Sequence, residues 1–147
     1  MLEIQLLRLD PELPMPSYAR EGDAGMDLYA RVAVGLEPGG GRSVVPTGIS
    51  VAIPPGYAGF VQPRSGLALS HGVTCLNSPG LIDAGFRGEL AVVLVNTDPV
   101  QRYEVRRGDR IAQLVIAPVA HARLVEVDHG GLPPSVRDLG GFGHTGR

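Results

Sequence analysis

The chain has 147 residues, 44% of them hydrophobic, and a formal net charge of −2. That is the length of one domain with a real core, which excludes a disordered chain; the charge gives no polybasic signature of nucleic-acid binding. A single Cys excludes an internal disulfide framework and suits a reducing cytoplasm; no apolar run is long enough to span a membrane, and no basic region opens a signal peptide. All thirteen basic residues are Arg, which reads as the imprint of a GC-rich genome. With 21 Gly, 13 Pro and many short apolar runs, the composition predicts an all-β domain with many turns.

Residues 2–9 read as a first strand, ended by Asp10-Pro11, and residues 11–23 as an extended loop. Met26, Leu28, Ala30, Val32 and Val34 recur with a period of two, which predicts one half-buried strand. Residues 37–41 are a turn. Ile49, Val51 and Ile53 alternate again, and residues 57–62 form another short strand. Residues 64–71 suit one or two turns of helix, with Ser65 as N-cap and a stop at Gly72. Residues 73–77 and 89–96 read as the arms of a wide hairpin around the Gly-rich stretch 80–90. Residues 91–95 are apolar on both faces, as in a buried central strand or a subunit contact. Residues 100–105 read as an edge strand, 107–109 as a turn, 111–117 as an apolar strand interrupted by Gln113, and 122–127 as a last strand. Residues 128–147 are a Gly- and Pro-rich tail, with Phe142 flanked by glycines.

Several pieces could do chemistry. Asp83, among three glycines, could take a proton from a water, bind a sugar hydroxyl, or simply close a turn. Arg64-Ser65-Gly66 at a helix start could bind an anion, or could be a capping Ser beside a surface Arg. Gln113 could donate to a phosphate or a water, or bond backbone in the core. Asp27 could cap a turn or hold waters on a divalent cation. Arg137, Phe142 and Thr145 offer a cation, a flat ring and a hydroxyl for a base and its phosphates. The four His have no ligand-like spacing, and Cys75 reads as a small buried apolar residue.

Five segments, in order, resemble the motifs of the trimeric deoxyuridine triphosphatases (dUTPases). They are residues 24–30 (Ala-Gly-Met-Asp-Leu-Tyr-Ala), 63–68 (Pro-Arg-Ser-Gly-Leu-Ala), 80–90, 107–114 (Arg-Gly-Asp-Arg-Ile-Ala-Gln-Leu) and 140–146 (Gly-Gly-Phe-Gly-His-Thr-Gly). The resemblance implies a jelly-roll-like β-sandwich or barrel over residues 1–127, with one short helix. Residues 128–147 become a mobile arm that completes a neighbouring subunit's site in a homotrimer. The implied reaction is Mg²⁺-dependent hydrolysis of dUTP to dUMP and diphosphate, with no nucleic-acid or membrane partner. It implies that Asp83 orients the attacking water and Gln113 meets the α-phosphate region. Arg64, Ser65 and Gly66 would bind phosphates, and Asp27 would reach Mg²⁺ through water. Asn77, Leu81, Ile82 and Ala91 would read the uracil, and Phe86 would lie under the deoxyribose. From the arm, Phe142-Gly143 would stack on uracil, Arg137 would reach the γ-phosphate, and His144 and Thr145 would follow.

Two positions depart from the family pattern. Phe86 stands where Tyr is usual, which predicts weaker binding with the 2′-OH still excluded. His144 stands where Ser is usual, which predicts a KM that improves towards acid, with Thr145 able to take the Ser role. The nearest rival is a dCTP deaminase of the same fold, which needs a catalytic Glu in the hairpin; a rival from another class is a non-catalytic nucleotide-binding module.

Overall fold

Short alternating runs broken by Gly and Pro can form only short strands, and the computed structural model, which describes residues 2–136, shows this. Its elements are β1 (Gln5–Arg8), β2 (Met26–Tyr29), β3 (Val34–Leu36), β4 (Gly41–Pro46), β5 (Ile49–Ala52), β6 (Tyr57–Gln62), α1 (Ser65–His71), β7 (Val73–Cys75), β8 (Gly80–Ile82), β9 (Ala91–Asn96), β10 (Tyr103–Val105) and β11 (Arg110–Pro118). Two larger sheets, ordered β2-β11-β6-β8 and β4-β9-β7, are joined by the two-stranded pairs β1-β5 and β3-β10, and every pairing is antiparallel. The fold is an all-β jelly roll with one short helix.

Both larger sheets feed one apolar core. Leu28, Ile111 and Leu114 come from one, and Val45, Val92 and Leu94 from the other; all are fully buried or nearly so. Truncating a Leu such as Leu94 to Ala there costs about 2–5 kcal/mol. Asn96 is fully buried among them, and its amide donates to the carbonyls of Leu36 (3.1 Å) and Gln101 (2.8 Å) while its oxygen accepts the Asp98 N–H (3.0 Å).

Four expectations need correction. The single strand over residues 26–34 is two, because β2 pairs with β11 while β3 pairs with β10, and the chain bends between them. The arms β7 and β9 do pair, but the connection between them contains β8, which joins β6 in the other sheet. Ser65 is not the N-cap: Arg64 holds the extended cap conformation and no side chain caps the helix, while Gly72 ends it with a left-handed φ of 64° as expected. Residues 122–127 are not a strand; Leu124 and Val125 are exposed, and a strand needs a neighbour's ladder to satisfy its backbone groups.

Candidate active site

The first cluster gathers on the face of β2 and β11. Asp27 on β2 stands opposite Gln113 on β11. A register shift between Arg110 and Ala112 leaves Ile111 as an extra residue. Residues three apart on a strand normally point to opposite faces. The bulge restores parity, so both Arg110 and Gln113 reach the same carboxylate. Arg110 Nη1 lies 3.3 Å from Asp27 Oδ2, and Gln113 Nε2 lies 3.5 Å from Oδ1. Arg64 joins from the start of α1: its Nε is 3.5 Å from Asp27 Oδ1, and its Nη1 donates to the Arg110 carbonyl at 3.0 Å. Asp27 is thus a nearly buried counter-ion for two guanidiniums. Ser65 and Gly66 lie on the exposed first turn beside them, and a Cβ on Gly66 would meet open space.

The second cluster lies at the hairpin. Leu81, Ile82, Asp83, Phe86, Glu89 and Ala91 line a concavity of about 230 Å³. It is open and mostly apolar, with one exposed carboxylate at Asp83, which suits a nucleoside more than a triphosphate chain. Asn77 is exposed on the incoming side, where its amide faces Gly80.

The two clusters are far apart within one chain. Gln62 of β6 stands opposite Gln113, and Gly59 of β6 stands opposite Ile82. With about 4.8 Å between strands and about 3.3 Å per residue, Asp83 is roughly 16 Å from Gln113. One chain therefore presents two separate clusters.

The dUTPase family model matches residues 11–146. A deoxyuridine 5'-triphosphate nucleotidohydrolase of Thermobifida fusca is 54% identical over 145 residues, covering 99% of this chain and 79% of that one. That of Mycolicibacterium vanbaalenii is 51% identical over 146 residues, covering 97% and 94%. A Staphylococcus bacteriophage 80alpha dUTPase with dUPNHPP superposes with a TM-score of 0.91 over the whole of both chains, at 28% identity. A mutant dUTPase of S. aureus phage phi11, described for its coordination of a structural Mg(II) ion, has a TM-score of 0.80 at 27% identity, covering 87% and 98%.

The chain belongs to the dUTPase family. It is an enzyme of the dUTP diphosphatase class.

For a dUTPase the second hairpin carboxylate matters, since a deaminase would need a free one there. Glu89 is committed elsewhere: Oε1 accepts the Gly48 N–H (2.8 Å), and both oxygens accept from Arg31 Nη1 (3.2 Å each). The cation-lined cluster offers Asp27 as its single carboxylate, and among the described residues no three His, Cys, Asp or Glu side chains gather so as to hold a metal ion. That donor set fits Mg²⁺ carried by substrate phosphates rather than a caged ion. No helix among the described residues is long and apolar enough to cross a membrane. Arg137, Phe142, Gly143, His144 and Thr145 lie outside the described residues.

Sequence reasoning missed Arg110 as a partner of Asp27, because a bulge has no signature in Arg-Ile-Ala-Gln. It also missed Arg31, whose partners lie far along the chain.

Proposed function

We propose that this enzyme hydrolyses dUTP to dUMP and diphosphate by in-line attack of a water on the α-phosphate. The observation that carries the reading is the division into a mostly apolar concavity holding Asp83 and a separate cluster of Arg64, Arg110 and Gln113. Deoxyuridine would seat in the concavity, with Phe86 beneath the sugar and the backbone around Asn77, Leu81, Ile82 and Ala91 reading the base. Asp83 would hold the attacking water and take its proton. The triphosphate would lie on Arg64, Ser65, Gly66, Arg110 and Gln113 of another copy. Bound Mg²⁺ would neutralise phosphate charge, with Asp27 meeting its water shell. Phosphoryl transfer depends mainly on such positioning and charge neutralisation.

The roughly 16 Å between Asp83 and Gln113 supports a site shared between copies, and a homotrimer would supply it. Exchange of arms would offer residues 122–127 the strand partner they lack among the described residues, bring Phe142-Gly143 over uracil, and bring Arg137, His144 and Thr145 to the phosphates. The product would suit a cytoplasmic role in lowering dUTP and supplying dUMP for dTMP synthesis.

The test is product analysis with Mg²⁺ and, separately, dUTP, dCTP, dTTP and UTP. Only dUTP should react, giving dUMP and diphosphate. Asp83→Asn should lose about 10²–10⁴-fold in rate while still binding. Asp83→Asn and Gln113→Ala chains, refolded together, should regain about a quarter of the sites. Deamination of dCTP, or a mixture as dead as its parts, would overturn the assignment or the sharing respectively.

A further inference from the structure

The tip of the hairpin makes local bonds. The Phe86 N–H donates to the Asp83 carbonyl at 3.0 Å, and the Arg87 guanidinium donates to the carbonyls of Ala84 (2.6 Å) and Phe86 (2.7 Å). Local bonds fix the tip's shape, while its placement against the rest of the molecule is set at its two ends. At the incoming end β8 pairs with β6. At the outgoing end the anchor lies outside all five motifs: the Thr47-Gly48 turn between β4 and β5, with Ile49 at the start of β5.

That turn grips Glu89 and Leu90. The Leu90 N–H donates to the Ile49 carbonyl at 2.8 Å. The Leu90 carbonyl accepts both the Thr47 N–H (3.0 Å) and the Thr47 hydroxyl (2.7 Å). Gly48 donates its N–H to the Glu89 carboxylate, which Arg31 also holds. On its other side the turn is pinned by the N-terminal segment: the Gly48 carbonyl accepts the N–H groups of Leu9 (2.8 Å) and Asp10 (3.1 Å). Gly48 has φ +75°, and a Cβ there would stand 2.8 Å from the Asp10 Cβ, so the turn is held to one seat. Thr47 is 3% exposed and Leu90 is fully buried.

The peptide unit that matters is Leu90–Ala91. In a trans peptide the C=O and N–H point opposite ways. Two donors from Thr47 hold the Leu90 oxygen towards that turn, so the Ala91 N–H must point away from it. Ala91 lines the concavity with Asp83 and Phe86.

We propose that Thr47 is a positioning residue for the nucleoside pocket: its hydroxyl orients the Leu90–Ala91 peptide that forms the wall against which the base is read. This rests on the reading that the concavity takes deoxyuridine. Thr47→Val keeps the shape and removes the donor; Thr47→Ser keeps the donor. Steady-state kinetics with dUTP and dCTP test both, well below the melting temperature. For Thr47→Val the dUTP KM should rise about fivefold with kcat within about twofold, the size expected when the loosened Leu90–Ala91 peptide weakens one hydrogen bond to bound substrate. The preference for dUTP over dCTP should fall by a similar factor. Thr47→Ser should restore both. These ratios do not depend on how much enzyme is folded, so a purely structural role would leave them unchanged.

Arg31→Gln, at a half-exposed side chain, loosens the same root through Glu89 and should raise KM about two- to threefold, giving a reading even if Thr47→Val does not fold. Unchanged KM and preference, a fall in kcat alone, or failure of Ser to rescue Val overturns the proposal. A wild-type enzyme that leaves dUTP intact removes the underlying reading instead, and that result comes before any variant.

Discussion

Gln113 lies so close over Gly25 that a Cβ on the glycine would stand 3.1 Å from its Cβ, 3.3 Å from its Cδ and 3.4 Å from its Oε1. The amide reaches Asp27 by lying along this bare stretch of backbone. Gly25→Ala should therefore push Gln113 by a few tenths of an ångström. On the role proposed for Gln113, small misplacements are costly, and kcat should fall about tenfold. The melting temperature should drop only a few degrees, since the site is half open. Single-turnover rates and a thermal melt on one preparation check this; an unchanged rate would mean that Gln113 has room to spare.

Phe86 is 42% exposed, and its ring closes over Gly88, where an added Cβ would meet the Phe86 Cζ at 2.6 Å. The ring is thus placed by the hairpin's own backbone, and the proposed exclusion of a 2′-OH would need only its bulk. Phe86→Tyr should lower the dUTP KM about two- to fivefold by adding one hydrogen bond. Discrimination against UTP should stay where it was. The measurement is the UTP-to-dUTP rate ratio for both enzymes. A ratio near one in the wild type would show that the Phe ring does not select the sugar.

Local order was legible where the signal itself is local. Flanking Pro and Gly delimit β6, and Gly72 ends α1 because a left-handed residue is needed there. β4 was not legible: Arg42, Ser43 and Pro46 blur its alternation, and it forms because β9 offers it a ladder. β8 has three residues and no period, and only its pairing with β6 makes it a strand. The same holds for the site. Asp83 stands out as a carboxylate among glycines, and Gln113 as a polar residue in an apolar strand. The groups that hold the site do not, because Thr47, Arg31 and Glu89 find their partners 41 to 58 residues away.

Cys75 is buried on β7, and loss of solvent pushes its thiol up to about 11. At neutral pH it is a protonated, enclosed group and a poor nucleophile. A thiol reagent such as DTNB should leave the native enzyme unlabelled for hours and react at once in denaturant. Prompt labelling of active enzyme would show that β7 opens on that timescale.

Asp10 ties the N-terminal segment to the turn before β11. Arg107 Nη1 bonds Asp10 Oδ2, and Nη2 donates to Asp10 Oδ1 at 3.1 Å and to Glu12 Oε2 at 2.9 Å. Arg31 Nε stands 3.7 Å from the same Asp10 carboxylate. The Arg107 hydrogen bond, more than any other cause, holds the Asp10 carboxyl below its usual range; partial burial opposes it. A carboxyl lowered in the folded state binds its proton more readily unfolded. Its contribution is therefore full above the unfolded value, near 4, and is lost as pH falls through the lower folded value. Asp10→Asn, which cannot ionise, should melt lower than the wild type at pH 7, and the gap should close as pH falls from the unfolded value, near 4, through the lowered folded one. Asp98, lowered by the N–H groups of Gln101 and Val100, titrates in both proteins and drops out of the difference. Thermal melts from pH 2.5 to 7 on both proteins give the curve. A gap of constant size would mean that the carboxylate's charge adds nothing to the latch, leaving shape alone to hold the N-terminal segment.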